Sequence, residues 1–489
     1  MLGVAEIVDG LLRYTDPDLS LESCGVRTQR TATSLELSRD RIGDAVYYRL
    51  GYGRLEWGVD LEGFVTGSAL PAIDPGALLL LVEGYAAAPD AVPIPGVQRL
   101  SVGTTVRLDA AGVTVTRRPA PLPANGPGLV DAVGAALRKL GPQYSIAYSG
   151  GVSSAFLAAC ALSAGHRPQL IHADFGPLFA RKALSEIRGL EIQRIRTDLS
   201  ELLDRHRFTG PRFLPPLLDT EVPRLLADRL AEANHHVALV SGGLLEDVVS
   251  ARLPEVSVGT RGWRLLACEP FHIAGTLGGL AEARVLLGKG VVYVPNASQD
   301  AQPVAATPPP SPTGGSRVPG LTDEGKQALE SAHRAAMAVW KEHLDALDPV
   351  LGRVVAGIEQ RGHPGIAMPA LDPGVIAAAG ALPVSKIANI RQGSFRNHRP
   401  LYGALAALGV KDLRQASPAF RLRLGAIQHL HREREKIVRQ LSRECALADL
   451  GLVRPQPLIN ILRDGTTLAA NALPLLRLVW VDQWLRDHR

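Results

Sequence analysis

The chain is short of the features that would place it quickly. It has only four cysteines in 489 residues (Cys24, Cys160, Cys268 and Cys445), far apart and with no CxxC pair. That spacing supports neither a disulfide framework nor a thiolate metal cluster, and it fits a reducing, cytoplasmic setting. No basic-then-apolar leader opens the sequence, and no apolar stretch reaches the ~18 residues of a membrane span; Leu78 to Val82 is far too short. There is no run of five or six basic residues either. The net charge of +5 is spread along the chain, so nothing points to nucleic acid as a partner.

What is present is a globular composition, 46% hydrophobic and 21% charged, long enough for two or three domains with substantial cores. Residues 1–120 read as mostly β. Ala45–Leu50 and Arg54–Trp57 form one expected hairpin, across Gly51 and Gly53. Thr104–Leu108 and Val113–Thr116 form another, across Ala110-Ala111-Gly112, and Pro75–Tyr85 reads as a helix. The Pro-rich segment Pro119–Pro127 is the expected domain boundary.

From 129 onward the pattern alternates. Helix is expected over 129–140, 152–163, 180–188 and 221–234, and strand over 145–148, 168–174, 191–196 and 237–240. Repeated units of this kind predict a doubly wound parallel sheet, with ligands beyond the carboxyl ends of its strands. Residues 298–320 read as a loop excursion, either a plain surface loop or a lid. Thr322 N-caps a long helix to about Asp345, and the remainder is mostly helical. Arg421–Arg439 alternates Arg, Lys and Glu with Leu and Ile, which fits a solvated helix face or a partner contact.

The most informative run is Tyr148-Ser149-Gly150-Gly151-Val152-Ser153-Ser154-Ala155. It joins an expected strand to an expected helix. Glycines let a backbone approach a phosphate, free N–H groups point at it, and the helix dipole favours negative charge. Ser149, Ser153 and Ser154 add hydroxyls. No Gly-Lys-Ser/Thr follows, so this is not a Walker loop. The alternative is a Ser/Gly-rich strand-helix turn without a ligand. A second Ser-Gly-Gly, Ser241-Gly242-Gly243, follows the 237–240 strand and leads to Glu246 and Asp247.

The first run resembles the PP-loop of ATP pyrophosphatases, which reads Ser-Gly-Gly-x-Asp-Ser; here Ser153 stands at the Asp. Four further segments are similar, in order, to the asparagine synthetase superfamily. Ser38–Tyr48 with Arg54–Leu61 resembles its Arg-Asp-Arg-Phe-Gly…Leu-Tyr-Tyr segment and the strand that follows. Gly96–Gly103 resembles Gly-Val-x-Arg-Leu-x-Pro-Gly, Val240–Asp247 resembles Leu-Ser-Gly-Glu-Gly-x-Asp-Glu, and Ile366–Asp372 resembles Val-Arg-Val-Pro-Phe-Leu-Asp. The resemblance implies a truncated, β-rich glutaminase-like domain over 1–120. It implies a PP-loop synthetase domain over 129–489, with a doubly wound parallel sheet and a helical C-terminal part.

The departures shape what is expected. The family's glutaminase carries a Cys directly after the initiator Met, whereas this chain reads Met1-Leu2-Gly3 and Cys24 is internal. Glutamine hydrolysis is therefore not expected. Gly243 stands where asparagine synthetases carry Glu and β-lactam synthetases Tyr, and Ser417 at a Lys that stabilises charge in acyl transfer. Lys386, Arg391, Arg396, Arg399, Lys411 and Arg414 are nearby cations available to replace that Lys, with Lys411 and Arg414 taken as candidates.

By the resemblance, Ser149, Gly150, Gly151, Ser153 and Ser154 hold phosphates of ATP, and Ser241, Gly242 and Gly243 approach the nucleotide from the next strand. His172 and Asp174 lie on the adenosine side; His172 reads equally as a packed polar residue. Glu246 and Asp247 hold Mg²⁺, one carboxylate with phosphates sufficing for that ion, or are helix N-terminal carboxylates favoured by the dipole. Glu246 is also the expected catalytic carboxylate.

The implied reaction activates a carboxylate as an acyl-adenylate for attack by ammonia or an amine in the same molecule. Such chemistry belongs to specialised-metabolite and antibiotic biosynthesis, including lasso-peptide cyclases that close macrolactams. The substrate is then a small molecule or peptide carrying carboxylate and amine. The alternative is a catalytically degenerate relative that binds a nucleotide or peptide and supports a partner enzyme.

Overall fold

A computed structural model describes residues 2–15, 21–22, 24–40, 46–59, 61–64, 73–83, 92, 94–101, 103–117, 128–175, 187–204, 218–233, 238–250, 318–346, 366–382, 389–391, 394–396, 399–410 and 418–487. They form a mixed α/β structure with antiparallel sheets, a parallel sheet and a helical C-terminal region.

Among the described residues nine strands lie in the N-terminal region: β1 (Gly3–Val8), β2 (Leu11–Thr15), β3 (Val26–Arg30), β4 (Leu35–Arg39), β5 (Tyr47–Gly51), β6 (Arg54–Gly58), β7 (Val97–Arg99), β8 (Thr104–Asp109) and β9 (Gly112–Arg117). They make two antiparallel sheets, ordered β2-β1-β6-β5-β7 and β3-β4-β8-β9. Alternation along the strands aims one side of each sheet at a shared core. Ala5, Tyr48, Leu55 and Trp57 of the first meet Val26, Leu35, Leu37, Val106 and Leu108 of the second.

The parallel sheet holds β10 (Tyr144–Ala147), β11 (Gln169–Asp174), β12 (Ile192–Arg196), β13 (Ala238–Ser241) and β14 (Ile366–Ala367), in the order β12-β11-β10-β13-β14. The chain starts at the centre, steps one way to β11 and β12, then crosses back to β13 and β14. One face is covered by α2 (Leu129–Lys139), α3 (Val152–Ser163), α6 (Leu245–Ser250) and the helices Pro373–Gly380 and Arg399–Ala407, around Phe156, Leu157 and Ile146. On the other face, Ala227 and Leu230 of α5 (Leu218–Glu232) pack on Ile171, Ile195 and Leu239.

The C-terminal helices, Pro418–Arg432, Arg434–Arg443, Pro455–Arg463 and Gly465–Asp487, share a third core with α4 (Leu199–Asp204) and the Asp323–Ala346 helix. The Arg421–Arg439 stretch is divided between the first two. It exposes Arg432 and Lys436 and buries Leu430, Ile437 and Val438, as a solvated face requires. Helix α1 (Pro75–Glu83), which lies between β6 and β7 in sequence, packs into this helical core through Leu78, Leu79, Leu80 and Val82. Glu83 at its end meets His333 Nε2 at 2.8 Å, and Arg477 Nη1 donates to the Glu83 carbonyl at 3.1 Å; all three side chains are buried. The expected boundary Pro119–Pro127, residues 180–186 of an expected helix and residues 298–317 of the expected loop excursion lie outside the described residues.

Candidate functional site

β10 and β13 are parallel neighbours, with Ala147 opposite Ser241. The chain runs outward in opposite directions from this pair, and such a reversal of strand order is where open α/β sheets have a crevice, beyond the carboxyl ends of the strands. Both Ser-Gly-Gly turns lie there. Each strand is a short apolar run closed by Ser and Gly, and each is followed by a helix with an almost wholly buried apolar face.

The first turn leaves the sheet at Tyr148, whose N–H donates to the Ile171 carbonyl at 2.7 Å. Burial pushes the Tyr148 phenol up to about 12, so it stays protonated. Gly150 takes φ +75 and Gly151 is the N-cap of α3, without a side-chain cap. The Ser154 hydroxyl donates to the Gly151 carbonyl at 3.1 Å. Each hydroxyl has one proton, so in the 3.1 Å Ser149–Ser154 contact the proton comes from Ser149. Ser149 Oγ also accepts from the Gly151 N–H at 3.2 Å. Ser153 Oγ donates to Glu246 Oε1 at 2.7 Å.

The serine hydroxyls are thus engaged within the protein, whereas the sequence suggests them as phosphate donors. The remaining donors are backbone. The first helical bond of α3 runs from Ala155 N–H to the Gly151 carbonyl. Among the described residues no acceptor meets the N–H groups of Val152, Ser153 and Ser154. Three unspent amides at a helix start, with the dipole behind them, attract an anion.

The second turn is built tightly against the first. A Cβ on Gly242 would lie 2.9 Å from the Ser153 carbonyl carbon and oxygen and 3.0 Å from the Ser154 nitrogen. The Ser241 hydroxyl accepts from the Gly243 N–H at 3.1 Å, and Leu244 follows at φ +66. α6 then presents Glu246, half-buried, to Ser153.

His172 sits behind the first turn rather than in the crevice mouth. It is buried, and its Nδ1 donates to the Tyr148 carbonyl at 2.8 Å, the carbonyl being only an acceptor. The ring ties β11 to the turn. Asp174 is half-exposed at the end of β11, and its carbonyl accepts from Thr197 N–H at 2.9 Å.

The structure therefore brings Ser149, Gly150, Gly151, Ser153, Ser154, Ser241, Gly242, Gly243 and Glu246 to one crevice, with His172 and Asp174 along the neighbouring strand. Asp247 lies on α6 but its side chain is outside the described residues, as are Lys411 and Arg414 altogether. Sequence reasoning missed Tyr148 and Leu244 as shaping residues. Tyr148 could have been found as a large aromatic closing a buried strand; Leu244 has no sequence signal for its backbone conformation.

Among the described residues no three His, Cys, Asp or Glu side chains gather as a metal cluster. No helix among them is long and apolar enough to cross a membrane. Among the described residues Glu246 is a hard-oxygen ligand at this place, a donor that suits Mg²⁺ when a nucleotide's own oxygens share the ion. No protein-family model matches the sequence, and no curated protein matches it.

Proposed function

We propose that the chain is an ATP-dependent, amide-forming ligase of the asparagine synthetase type, a cytoplasmic enzyme with a PP-loop synthetase domain. One observation carries the reading: both Ser-Gly-Gly turns lie at the carboxyl ends of adjacent strands where the sheet order reverses. Paired glycine turns at that place form a crevice suited to a nucleotide.

In this reading the amides of Val152, Ser153 and Ser154 hold phosphate oxygens. Ser149 and Ser154 brace the loop, Gly242 lets the second turn lie flush against it, and Gly243 and Ser241 line the other wall. Asp174 faces the nucleoside side, and His172 holds the turn in place. Glu246, with Asp247, would hold Mg²⁺, and the ion would offset charge on the departing pyrophosphate. A carboxylate is a poor electrophile; joining it to AMP supplies a good leaving group. The site then has to hold an amine beside the acyl carbon and offset the developing charge, the task proposed for Lys411 and Arg414. The amine is ammonia or one carried by the substrate, which makes a lactam or macrolactam. The antiparallel β region is proposed as a glutaminase-like domain that presents substrate.

Substrate-dependent pyrophosphate release tests the reading. Release with a carboxylate and amine, absent with either alone, supports it. Silence across such pairs while ATP and Mg²⁺ still bind favours a second reading, a degenerate nucleotide- or peptide-binding partner of another enzyme. That second reading is favoured by Ser153, whose hydroxyl is turned to Glu246 where the family places a carboxylate.

A further inference from the structure

The Ser153–Glu246 bond joins two elements far apart in sequence, the first turn of α3 and the first turn of α6. Its length is not left to two flexible side chains. The backbone of Gly242 is packed onto the backbone of Ser153 and Ser154, so the spacing between the two turns is set by main-chain contact. Serine has a single rotatable bond before its oxygen, and 2.7 Å is the length of a strong O–H···O⁻ bond. The serine proton therefore fixes one carboxylate oxygen of Glu246 and with it the direction of the whole group.

We propose that Ser153 is a positioning residue that aims the Glu246 carboxylate as the crevice's divalent-cation ligand. The inference rests on the nucleotide-binding reading given above. It assigns Ser153 neither to the phosphates nor to the metal. A carboxylate at 153 would bring a second negative charge to Glu246; serine supplies a hydrogen-bond donor instead, leaving the loop side of the crevice uncharged. Partners that orient a metal ligand typically contribute about 10–100-fold to metal affinity. A plain staple between α3 and α6 would stabilise the fold without touching metal dependence, and the two roles separate by measurement.

The experiment titrates the full chain with α,β-methylene-ATP by calorimetry over a range of Mg²⁺ concentrations. Melting temperatures are recorded for every variant. In the native chain, Mg²⁺ is expected to tighten binding. Ser153→Ala is expected to need about 10-fold more Mg²⁺ for the same tightening, with metal-free nucleotide affinity within about twofold of native by the same reasoning. Ser153→Thr, which keeps the hydroxyl, is expected to restore the native Mg²⁺ dependence. Glu246→Gln is expected to lose most of that dependence, and adding Ser153→Ala to it is expected to change nothing further. If Ser153→Ala does not fold, Ser153→Cys keeps the volume with a weak donor and is expected to shift the Mg²⁺ requirement the same way.

An unchanged Mg²⁺ profile in a folded Ser153→Ala or Ser153→Cys variant, or an equal shift with and without Glu246, overturns the positioning role alone. No nucleotide binding by the native chain at any Mg²⁺ concentration overturns the ligase reading and this inference with it.

Discussion

Gly242 lies so close to Ser153 that a single added carbon would stand 2.9 Å from the Ser153 carbonyl carbon and oxygen. The obstacle is backbone at the start of α3, which cannot swing aside as a side chain can. Gly242→Ala is expected to push the two turns apart, costing about 1–3 kcal/mol of stability and weakening nucleotide binding by about 10-fold or more. Gly243→Ala is the control. Among the described residues its Cβ would meet only the Ser241 hydroxyl oxygen, at 3.3 Å, and a smaller effect on both is expected. Thermal melts and nucleotide titrations check the pair.

Helix α1 ties the N-terminal β region into the C-terminal helices. Burying Leu78, Leu79, Leu80 and Val82 contributes about 8 kcal/mol at ~2 kcal/mol per side chain. That is comparable with the whole stability of a domain, about 5–15 kcal/mol. A fragment starting at residue 129 is therefore expected to aggregate or bind hydrophobic dyes, although it keeps the entire parallel sheet. The full chain with Glu83→Ala, which deprives buried His333 of its 2.8 Å partner, is expected to lose about 2 kcal/mol in urea unfolding.

Two thiols are expected to be inert. Burial, with a smaller push from Asp131, raises Cys160 to about 12. Burial, with a smaller push from Asp482, raises Cys445 to about 12. The thiolate is the reactive form. Iodoacetamide at pH ~8 should leave both unlabelled in the native chain and label both after denaturation, read by peptide mass spectrometry. Native labelling of either would contradict their burial.

His429 is expected to make the fold acid-sensitive. Burial lowers its imidazole below the ordinary value; Glu433 opposes this, Lys436 adds to it, and a backbone bond to Ser200 opposes it. The unfolded chain, with a His pKa of about 6.5, thus takes up the proton before the native state does. This contribution to stability is complete above pH ~6.5 and shrinks as pH falls through and below it. His429→Gln is expected to flatten the urea midpoint between about pH 7 and 5; a slope as steep as the native one would contradict the assignment.

β10, β11 and β13 were legible because each carries a short apolar run ended by a polar or glycine turn; β12 is half polar and was legible only from its place in the alternation, and β14, two residues long, was not legible as a strand. α3 runs over Val152–Ser163, the range its apolar pattern predicts, and β13 falls one residue from its expected place. The first four N-terminal strands were not individually legible. β2 is mostly exposed and carries little alternation. A signal was nonetheless there: Asp9 and Gly10, both at positive φ, join β1 to β2 as an Asp-Gly hairpin turn should. The destination of α1 could not be read, since nothing local says which core a uniformly apolar helix will enter. In the site, the two glycine turns were visible as motifs. The 2.7 Å bond between Ser153 and Glu246, 93 residues apart, was not, because strand order rather than sequence brings them together.

A crystal structure of the full chain with a non-hydrolysable ATP analogue and Mg²⁺ tests the central claim most directly. Phosphate oxygens are expected about 3 Å from the amide nitrogens of Val152, Ser153 and Ser154, between the ends of β10 and β13. An analogue bound elsewhere, or crystals with that crevice empty at saturating nucleotide, would contradict it.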